Sequence, residues 1–325
     1  MQKVKWGVLG TAGIARGCTI PGMQQAENCE LYAIAGRDAN KAEQFKNEFG
    51  FEKAYSDYES LLADEKVEAV YIPLPNQLHY EWVLKAIAAG KNVLCEKPLA
   101  PTKKQVEELF YAAKEKGVLL MEAFAYLHTP YIAALKEEIE NKSIGEVCYI
   151  ESAFLTSDYE LTNIRMQKEC FGGALYDLGC YCTSMILTIM DKVPVSVKGV
   201  SEYSPEGVDV LTAVIMKFAD GSRASFNCGM NLETEMDRRM DRLYIHGSKG
   251  YIRSSVEYNE AGDLSYEICI DGVKSMKTVS VPQNYRLEVE QLGRCILNGE
   301  APKVSADFSA KNADIIDKVI EAIGY

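Results

Sequence analysis

Lys97 and Tyr181 are the side chains whose sequence surroundings best suit proton chemistry. Lys97 stands in Glu96-Lys97-Pro98, directly after the apolar run from Asn92 to Cys95. That run reads as a strand in a βα-patterned half of the chain, and in an open parallel sheet the ligand crevice lies outside the carboxyl ends of the strands. Pro98 fixes its own φ and keeps Lys97 out of helical geometry, so the ammonium belongs to a defined turn. An ion pair between Glu96 and some cation at a strand end is the plainer alternative.

Tyr181 closes the stretch Gly172-Gly173-Ala174-Leu175-Tyr176-Asp177-Leu178-Gly179-Cys180-Tyr181. The glycine pair opens a predicted helix on which Asp177 and Tyr181 share a face. Gly179 between them weakens the helix and points to close approach of another element or a ligand. A phenol of pKa about 10 is a slow proton carrier at neutral pH, and a neighbouring ammonium favours its phenolate. The three residues therefore predict hydride transfer coupled to proton exchange. Tyr181 takes the hydroxyl proton of an alcohol, or returns it to a carbonyl, beside Lys97, while Asp177 holds a substrate hydroxyl. A core or interface hydrogen bond between Asp177 and Tyr181 is the structural alternative.

These residues need elements to place them. Strand patterns at Lys5 to Gly10, Glu30 to Ala35, Val67 to Ile72, Asn92 to Cys95 and Val118 to Glu122 alternate with helical ones at Ile14 to Gln25, Asn40 to Phe49, Tyr80 to Ala89 and Lys103 to Lys116. Repeated βα units predict a Rossmann-type, doubly wound parallel sheet over residues 1–124. From residue 125 to 325 the pattern changes. After helical stretches at Tyr131 to Glu140 and Ala174 to Met190, alternating runs predict an α/β domain with a large, open, mostly antiparallel sheet, closed by helices at Arg286 to Leu297 and Ala306 to Ile323.

Gly10-Thr11-Ala12-Gly13-Ile14-Ala15 joins the first strand to the first helix, where small residues let backbone amides approach a pyrophosphate. Ala12 and Ala15 occupy the second and third glycine positions of that pattern. At the end of the second strand, Gly36 stands where a carboxylate would grip a ribose hydroxyl, and Arg37 offers a guanidinium suited to a 2′-phosphate. NADP is therefore expected over NAD, with Asp38 read as the cap of the next helix. The loop Tyr71 to His79 leaves another strand on the same side. Pro73 holds it extended, and Asn76 and His79 are candidate cofactor contacts, with helix capping and packing as their structural alternatives.

Composition limits the partners. The chain has 325 residues, 47% of them hydrophobic, and a formal net charge of -12. That charge argues against nucleic acid, so an anionic ligand must be met by local cations. Met1 to Trp6 enters a strand pattern at once, which leaves no room for a signal peptide, and no apolar run approaches the roughly 20 residues of a membrane span. A cytoplasmic protein without a membrane partner is expected. Ten scattered cysteines and three separated histidines carry no metal-ligand spacing, so no metal is expected.

Taken together, the glycine-rich elbow, Tyr71 to His79, Val93-Leu94-Cys95-Glu96-Lys97-Pro98-Leu99, Met121-Glu122-Ala123-Phe124 and Gly172 to Tyr181 resemble the glucose-fructose oxidoreductase/inositol dehydrogenase/MocA (Gfo/Idh/MocA) family over essentially the whole chain. The resemblance is to the branch that places tyrosine at the position of Tyr181, which contains dimeric dihydrodiol dehydrogenase, D-xylose dehydrogenase and glucose-fructose oxidoreductase. It implies an oxidoreductase acting on a sugar, cyclitol or vicinal diol or carbonyl compound, with the active site between a dinucleotide domain and a substrate domain. It also implies a homo-oligomer formed through the C-terminal sheet, and Arg165, just before the glycine pair, in the substrate site. Tyr126, in Ala125-Tyr126-Leu127-His128, stands where relatives often carry other residues and is a further candidate substrate contact. Glu96 is expected to support Lys97 at the cofactor. A non-catalytic dinucleotide-binding regulator and an NAD-dependent glycosidase are the competing classes.

Overall fold

The computed structural model describes residues 2–157, 161–232, 239–255 and 258–325. The chain divides into two compact units, Met1–His128 with Pro282–Ser309, and Thr129–Val281 with Ala310–Tyr325. The first boundary lies four residues beyond the expected 124/125 division, and the chain then returns to the first unit, a return that a linear reading does not include.

The first unit begins with β1 (Val4–Leu9), a π-helical turn (Ala15–Thr19) and α1 (Ile20–Gln25), followed by β2 (Cys29–Ala35) and α2 (Ala39–Phe49). It continues through β3 (Lys53–Tyr55), α3 (Tyr58–Ala63), β4 (Ala69–Ile72), α4 (Asn76–Ala88), β5 (Asn92–Glu96), α5 (Lys103–Lys116) and β6 (Leu120–Ala123). The sheet order is β3-β2-β1-β4-β5-β6, and every pairing is parallel. Trp6, Val8, Val70, Tyr71, Val93 and Leu94 are fully buried, as expected of strands covered on both faces.

Two local findings differ from the sequence pattern. β3 and α3 are short, and the three half-buried residues of β3 carry no alternation that could signal them. The first helix is not uniform, because the Ile20 N–H reaches back five residues to the Ala15 carbonyl. Pro21, next in the chain, has no N–H to continue an α-type ladder, and the wider turn fits that gap.

The second unit holds α6 (Pro130–Glu140), β7 (Val147–Thr156), a π-helical turn (Leu175–Gly179) and α7 (Cys180–Met190). Seven strands follow: β8 (Ser196–Tyr203), β9 (Asp209–Lys217), β10 (Arg223–Gly229), β11 (Arg239–Gly247), β12 (Gly250–Ser254), β13 (Gly262–Ile270) and β14 (Val273–Val281). The eight strands order as β14-β13-β12-β11-β7-β10-β9-β8, antiparallel except for the parallel β7/β10 pair. One face carries the buried Ile150, Phe226, Leu243, Ile245 and Ile252, and α7 packs on β7 and β10. The other face carries Ile215, Ser225, Glu151, Tyr244, Arg253 and Glu267 in register across the strands.

The segment Lys168–Met190 passes a membrane-span test by length and hydropathy, which the sequence reading did not expect of any segment, but 83% of that window is buried inside the protein. Its helical end is the buried α7, packed on β7 and β10. Its hydroxyls bond their own backbone, Thr183 to the Cys180 carbonyl and Ser184 to that of Tyr181. All ten cysteines are free thiols, eight of them buried.

The return segment supplies α8 (Asn284–Asn298), which packs on α1 and on the 3-10 turn Ala125–His128, and the chain ends in α9 (Ala306–Ile323). His128 is buried there, and neither ring nitrogen has a hydrogen-bond partner. Burial, with Lys303 and Arg294 nearby, pushes its pKa down to about 3. Unfolding returns the imidazole to about 6.5, so the unfolded chain binds the extra proton between those values. Stability from this group is complete above about pH 6.5 and is lost as the pH falls toward 3. We expect His128→Leu to match or exceed the wild-type melting temperature at pH 7 and to flatten the acid limb of a melting-temperature profile. Parallel profiles would contradict this.

Candidate active site

The carboxyl edge of the first sheet gathers the predicted dinucleotide residues. Gly10 leaves β1 at φ +129°, a conformation L side chains rarely adopt, and a Cβ there would meet Leu74 at 3.1 Å and Pro73 at 3.7 Å. Gly36, at the end of β2, lies against Thr11, whose Cγ2 is 3.2 Å from where a Cβ would be. A Cβ on Gly13 would meet nothing within 4 Å, so open space lies over the elbow. Thr11, Ala12 and Ile14 complete that elbow, and the backbone there remains accessible for a phosphate group. The residues present thus fit a dinucleotide.

Asp38 is the N-cap of α2, its Oδ1 accepting from the N–H groups of Asn40 at 2.9 Å and Lys41 at 3.1 Å. Arg37 is exposed beside Tyr58. Asn76 is the first residue of α4, after Pro75 at the cap position.

His79 sits elsewhere than a cofactor contact requires. It is fully buried, with Nδ1 2.8 Å from the Pro98 carbonyl oxygen and Nε2 2.7 Å from that of Leu74. Burial pushes its pKa down against the pull of the two carbonyls. Both nitrogens thus face backbone carbonyls, one of which takes the single N–H of the neutral imidazole, and His79 lies between the loop after β4 and the Lys97-Pro98 turn.

That turn contains a cis Lys97-Pro98 peptide bond. It is anchored from β6 by Glu122, whose Oε1 accepts from the Leu99 N–H at 2.9 Å. Burial raises the Glu122 carboxyl to about 7, against the opposing effects of Ser309, the Leu99 N–H and the Lys97 ammonium. Glu96 accepts a 2.6 Å hydrogen bond from the Tyr71 hydroxyl, which itself accepts from Thr19 at 2.9 Å. This chain joins β5, β4 and the first π turn through the sheet edge. Tyr126 is buried in the 3-10 turn, edge-on to Phe124.

In the second unit, the two glycines are demanded by space. A Cβ on Gly172 would lie 2.3 Å from the Arg165 carbonyl oxygen, and one on Gly173, at φ +110°, only 2.1 Å from Asp209 Oδ1. Asp209 Oδ2 accepts from the Leu175 N–H at 2.8 Å and from the Thr212 hydroxyl at 2.7 Å. Burial raises its carboxyl to about 6, against those two bonds.

The following turn is π-helical, where the sequence pattern predicts α-helix, and the Cys180 N–H reaches back to Leu175. Asp177 pairs with Arg165, whose Nε donates to Oδ2 at 2.7 Å, so two residues read separately from sequence form one ion pair. Tyr181, 9% exposed, packs in an aromatic cluster with Phe154 at 5.5 Å and Tyr258 at 5.2 Å between ring centroids. Its oxygen accepts a hydrogen bond from Asn259 Nδ2 at 3.0 Å.

Comparison with known proteins agrees with this architecture. A family model described as "Oxidoreductase family, NAD-binding Rossmann fold" matches residues 4–124, and the GFO/IDH/MocA C-terminal domain matches residues 132–253. D-xylose 1-dehydrogenase (NADP(+)) 2 of Haloferax volcanii is 32% identical over 329 residues, covering 98% of this chain and 96% of that protein. The chain belongs to the Gfo/Idh/MocA oxidoreductase family.

Trans-1,2-dihydrobenzene-1,2-diol dehydrogenase of Xenopus laevis is 30% identical, covering 98% of both chains. Among solved structures, KijD10, a 3-ketoreductase from Actinomadura kijaniata in complex with NADP and TDP-benzene, superposes with a TM-score of 0.91 at 27% identity, covering 99% of this chain and 98% of that one. The branch of the Gfo/Idh/MocA family inferred from Tyr181 is thus the one whose members resemble the chain. Phe154, Arg239, Asp241, Tyr258 and Asn259 were missed by sequence reasoning, because only long-range pairing brings them to Tyr181. Asn259 carries a turn signal and nothing more.

The glycine pair gives a direct test. Gly173→Ala is expected to cost about 2 kcal/mol or more of unfolding free energy, since it combines a strained φ with a clash against a buried carboxylate. Gly17→Ala, where a Cβ meets nothing within 4 Å, serves as the control and should be near neutral. Denaturant midpoints that move equally in both would refute this account of the turn.

Proposed function

We propose that this Gfo/Idh/MocA member is an NADP-dependent oxidoreductase acting on a CH–OH group, or the matching carbonyl, of a sugar, cyclitol or vicinal diol. Bound NADP would supply the hydride chemistry. Gly10, Thr11, Ala12, Gly13 and Ile14 would hold its phosphates, Gly36 and Arg37 its adenosine ribose, and Pro73, Asn76 and Lys97 its nicotinamide half. The capping of α2 by Asp38 carries the cofactor reading: one carboxylate oxygen there already serves two backbone amides, while Arg37 stays exposed. The NADP named for the relatives in Haloferax and Actinomadura agrees with it.

Tyr181 is the proposed proton-transfer group. In oxidation the substrate hydroxyl gives its proton to the phenolate oxygen as its C–H hydride leaves, and a carbonyl remains. Reduction returns the proton to the carbonyl oxygen. Lys97 favours the phenolate by its charge. Asp177, oriented by Arg165, accepts a hydrogen bond from a second substrate hydroxyl, with the Arg165 guanidinium as a further donor group at the same place. Glu96 and His79 keep the Lys97 turn in place, and Tyr126 contributes to the wall of the substrate site.

A second copy of the chain is the proposed partner of the open sheet face. Val200 at 72% exposure and Ile215 at 53% are large apolar side chains in that sheet. Ile215→Lys is expected to shift sedimentation toward the monomer, and an unchanged coefficient would count against a sheet-mediated dimer.

The catalytic reading is tested by nicotinamide absorbance, with pentoses, hexoses, cyclitols, dihydrodiols and ketosugars offered beside NAD and NADP. Tyr181→Phe and Lys97→Met should each lower kcat at least about a hundredfold with the fold intact. Arg37→Ala should raise KM for NADP about tenfold or more and leave KM for NAD unchanged. Undiminished turnover by Tyr181→Phe would end the proton-transfer reading. Equal effects of Arg37→Ala on both cofactors would end the NADP reading.

A further inference from the structure

We infer that Asn259 is a positioning residue for the Tyr181 phenol, holding its oxygen as a hydrogen-bond acceptor and so favouring the phenolate. The inference rests on the reading of Tyr181 as the proton-transfer group.

Asn259 has φ 63°, the left-handed region that asparagine tolerates better than most residues. Its side-chain amide donates to Tyr181 Oη at 3.0 Å. An amide N–H can only donate, so the phenol oxygen is the acceptor in this bond, which strengthens when that oxygen becomes negative.

The backbone that places Asn259 is clamped on both sides of the preceding residue. Asp241 Oδ2 accepts from the Tyr258 N–H at 3.1 Å, and Arg239 Nη2 donates to the Tyr258 carbonyl at 2.6 Å. Arg239 and Asp241 also pair with each other, with Nε to Oδ2 at 2.8 Å. The Arg239 guanidinium lies 4.6 Å from the Phe154 ring centroid, and Phe154 stacks on Tyr258 at 5.3 Å and 7°. Ser152 takes the Tyr258 hydroxyl at 3.0 Å. Three side chains and a stacked ring thus fix Tyr258, and the side chain of the next residue donates to the phenol.

Among the described residues of this unit, the titratable groups facing Tyr181 are engaged elsewhere or act by charge rather than by donating to its oxygen. Arg239 is engaged by Asp241 and by Glu260 at 3.5 Å, and its charge and that of Tyr181 act on each other. Cys182 on the same helix, and Cys228 on β10 against Gly179, have thiol pKa values raised by burial and stay neutral. Asp177, four residues earlier, is taken by Arg165. Asn259 is therefore the neutral donor whose loss changes the phenol without changing the net charge of its surroundings.

The test uses Asn259→Gly, which keeps the left-handed backbone and deletes the donor, and Asn259→Asp, which replaces the donor by an acceptor. Each is made with Tyr181 and with Tyr181→Phe, and the ultraviolet difference between the members of each pair reports phenolate formation at Tyr181 without any substrate. The midpoint should rise by about one pH unit in Asn259→Gly and further in Asn259→Asp. The pH profile of kcat should move in the same direction while KM changes less than about twofold. A midpoint unmoved in both variants, with melting temperatures near wild type, overturns the inference. Turnover retained by Tyr181→Phe alone would instead remove the catalytic reading, and the difference titration would still decide whether Asn259 governs the phenol.

Discussion

Buried hydrogen bonds that water cannot replace fix the Lys97-Pro98 turn, and the candidate site of the first unit is built on them. His79 reaches the Pro98 carbonyl from α4, and Glu122 takes the Leu99 N–H from β6. A buried backbone group left unpaired costs about 1–3 kcal/mol, so each bond restricts where the turn can go. The Thr19-Tyr71-Glu96 chain adds a third tie from the first π turn through β4 to β5. With its neighbours held from three elements, Lys97 is placed by the sheet edge rather than by its own flexible stem.

The second unit positions its phenol by different means. Here the constraint is volume: two glycines let Asp209 and the Arg165 carbonyl come within a distance no side chain would permit. That contact sets the start of the π turn, and the wider turn sets how Asp177 and Tyr181 are presented relative to each other. Polar groups then refine the result, Arg165 on Asp177 and Asn259 on Tyr181. One unit therefore fixes a cation by hydrogen bonds, and the other fixes a weak acid by packing.

How much of this is legible in the sequence follows from the range of the interactions. The βα series, the elbow, the Asp38 cap and the Lys97-Pro98 turn are all local patterns, and each is where the sequence places it. β3 escapes notice because three half-buried residues have no period. The π turns are invisible to a count of helical spacing, although Pro21 and Gly179 mark both places as irregular. His79 reads as a ligand contact because a histidine in a loop beside a cofactor pattern is chemically plausible, and only the fold shows its two carbonyl partners. Asn259 and the Arg239-Asp241 clamp depend on strands brought together from distant parts of the chain. No local signal could assign them to Tyr181.

The charge balance resolves an apparent conflict between an acidic chain and an anionic ligand. The net charge of -12 is spread over the whole protein, but a phosphate responds to the charges within about 8–10 Å in physiological salt. Burial raises the pKa of two carboxyls in the first unit. Glu122 titrates at about 7, and Glu288, fully buried with neither oxygen hydrogen-bonded, is held well above its ordinary value by burial and by the charge of Glu96. α8 returns to the first unit with Glu288 on its buried side, where desolvation disfavours the ionised carboxyl. Desolvation thus disfavours the ionised form of Glu122, against the pull of the Lys97 ammonium, and of Glu288, where the charge of Glu96 adds to it.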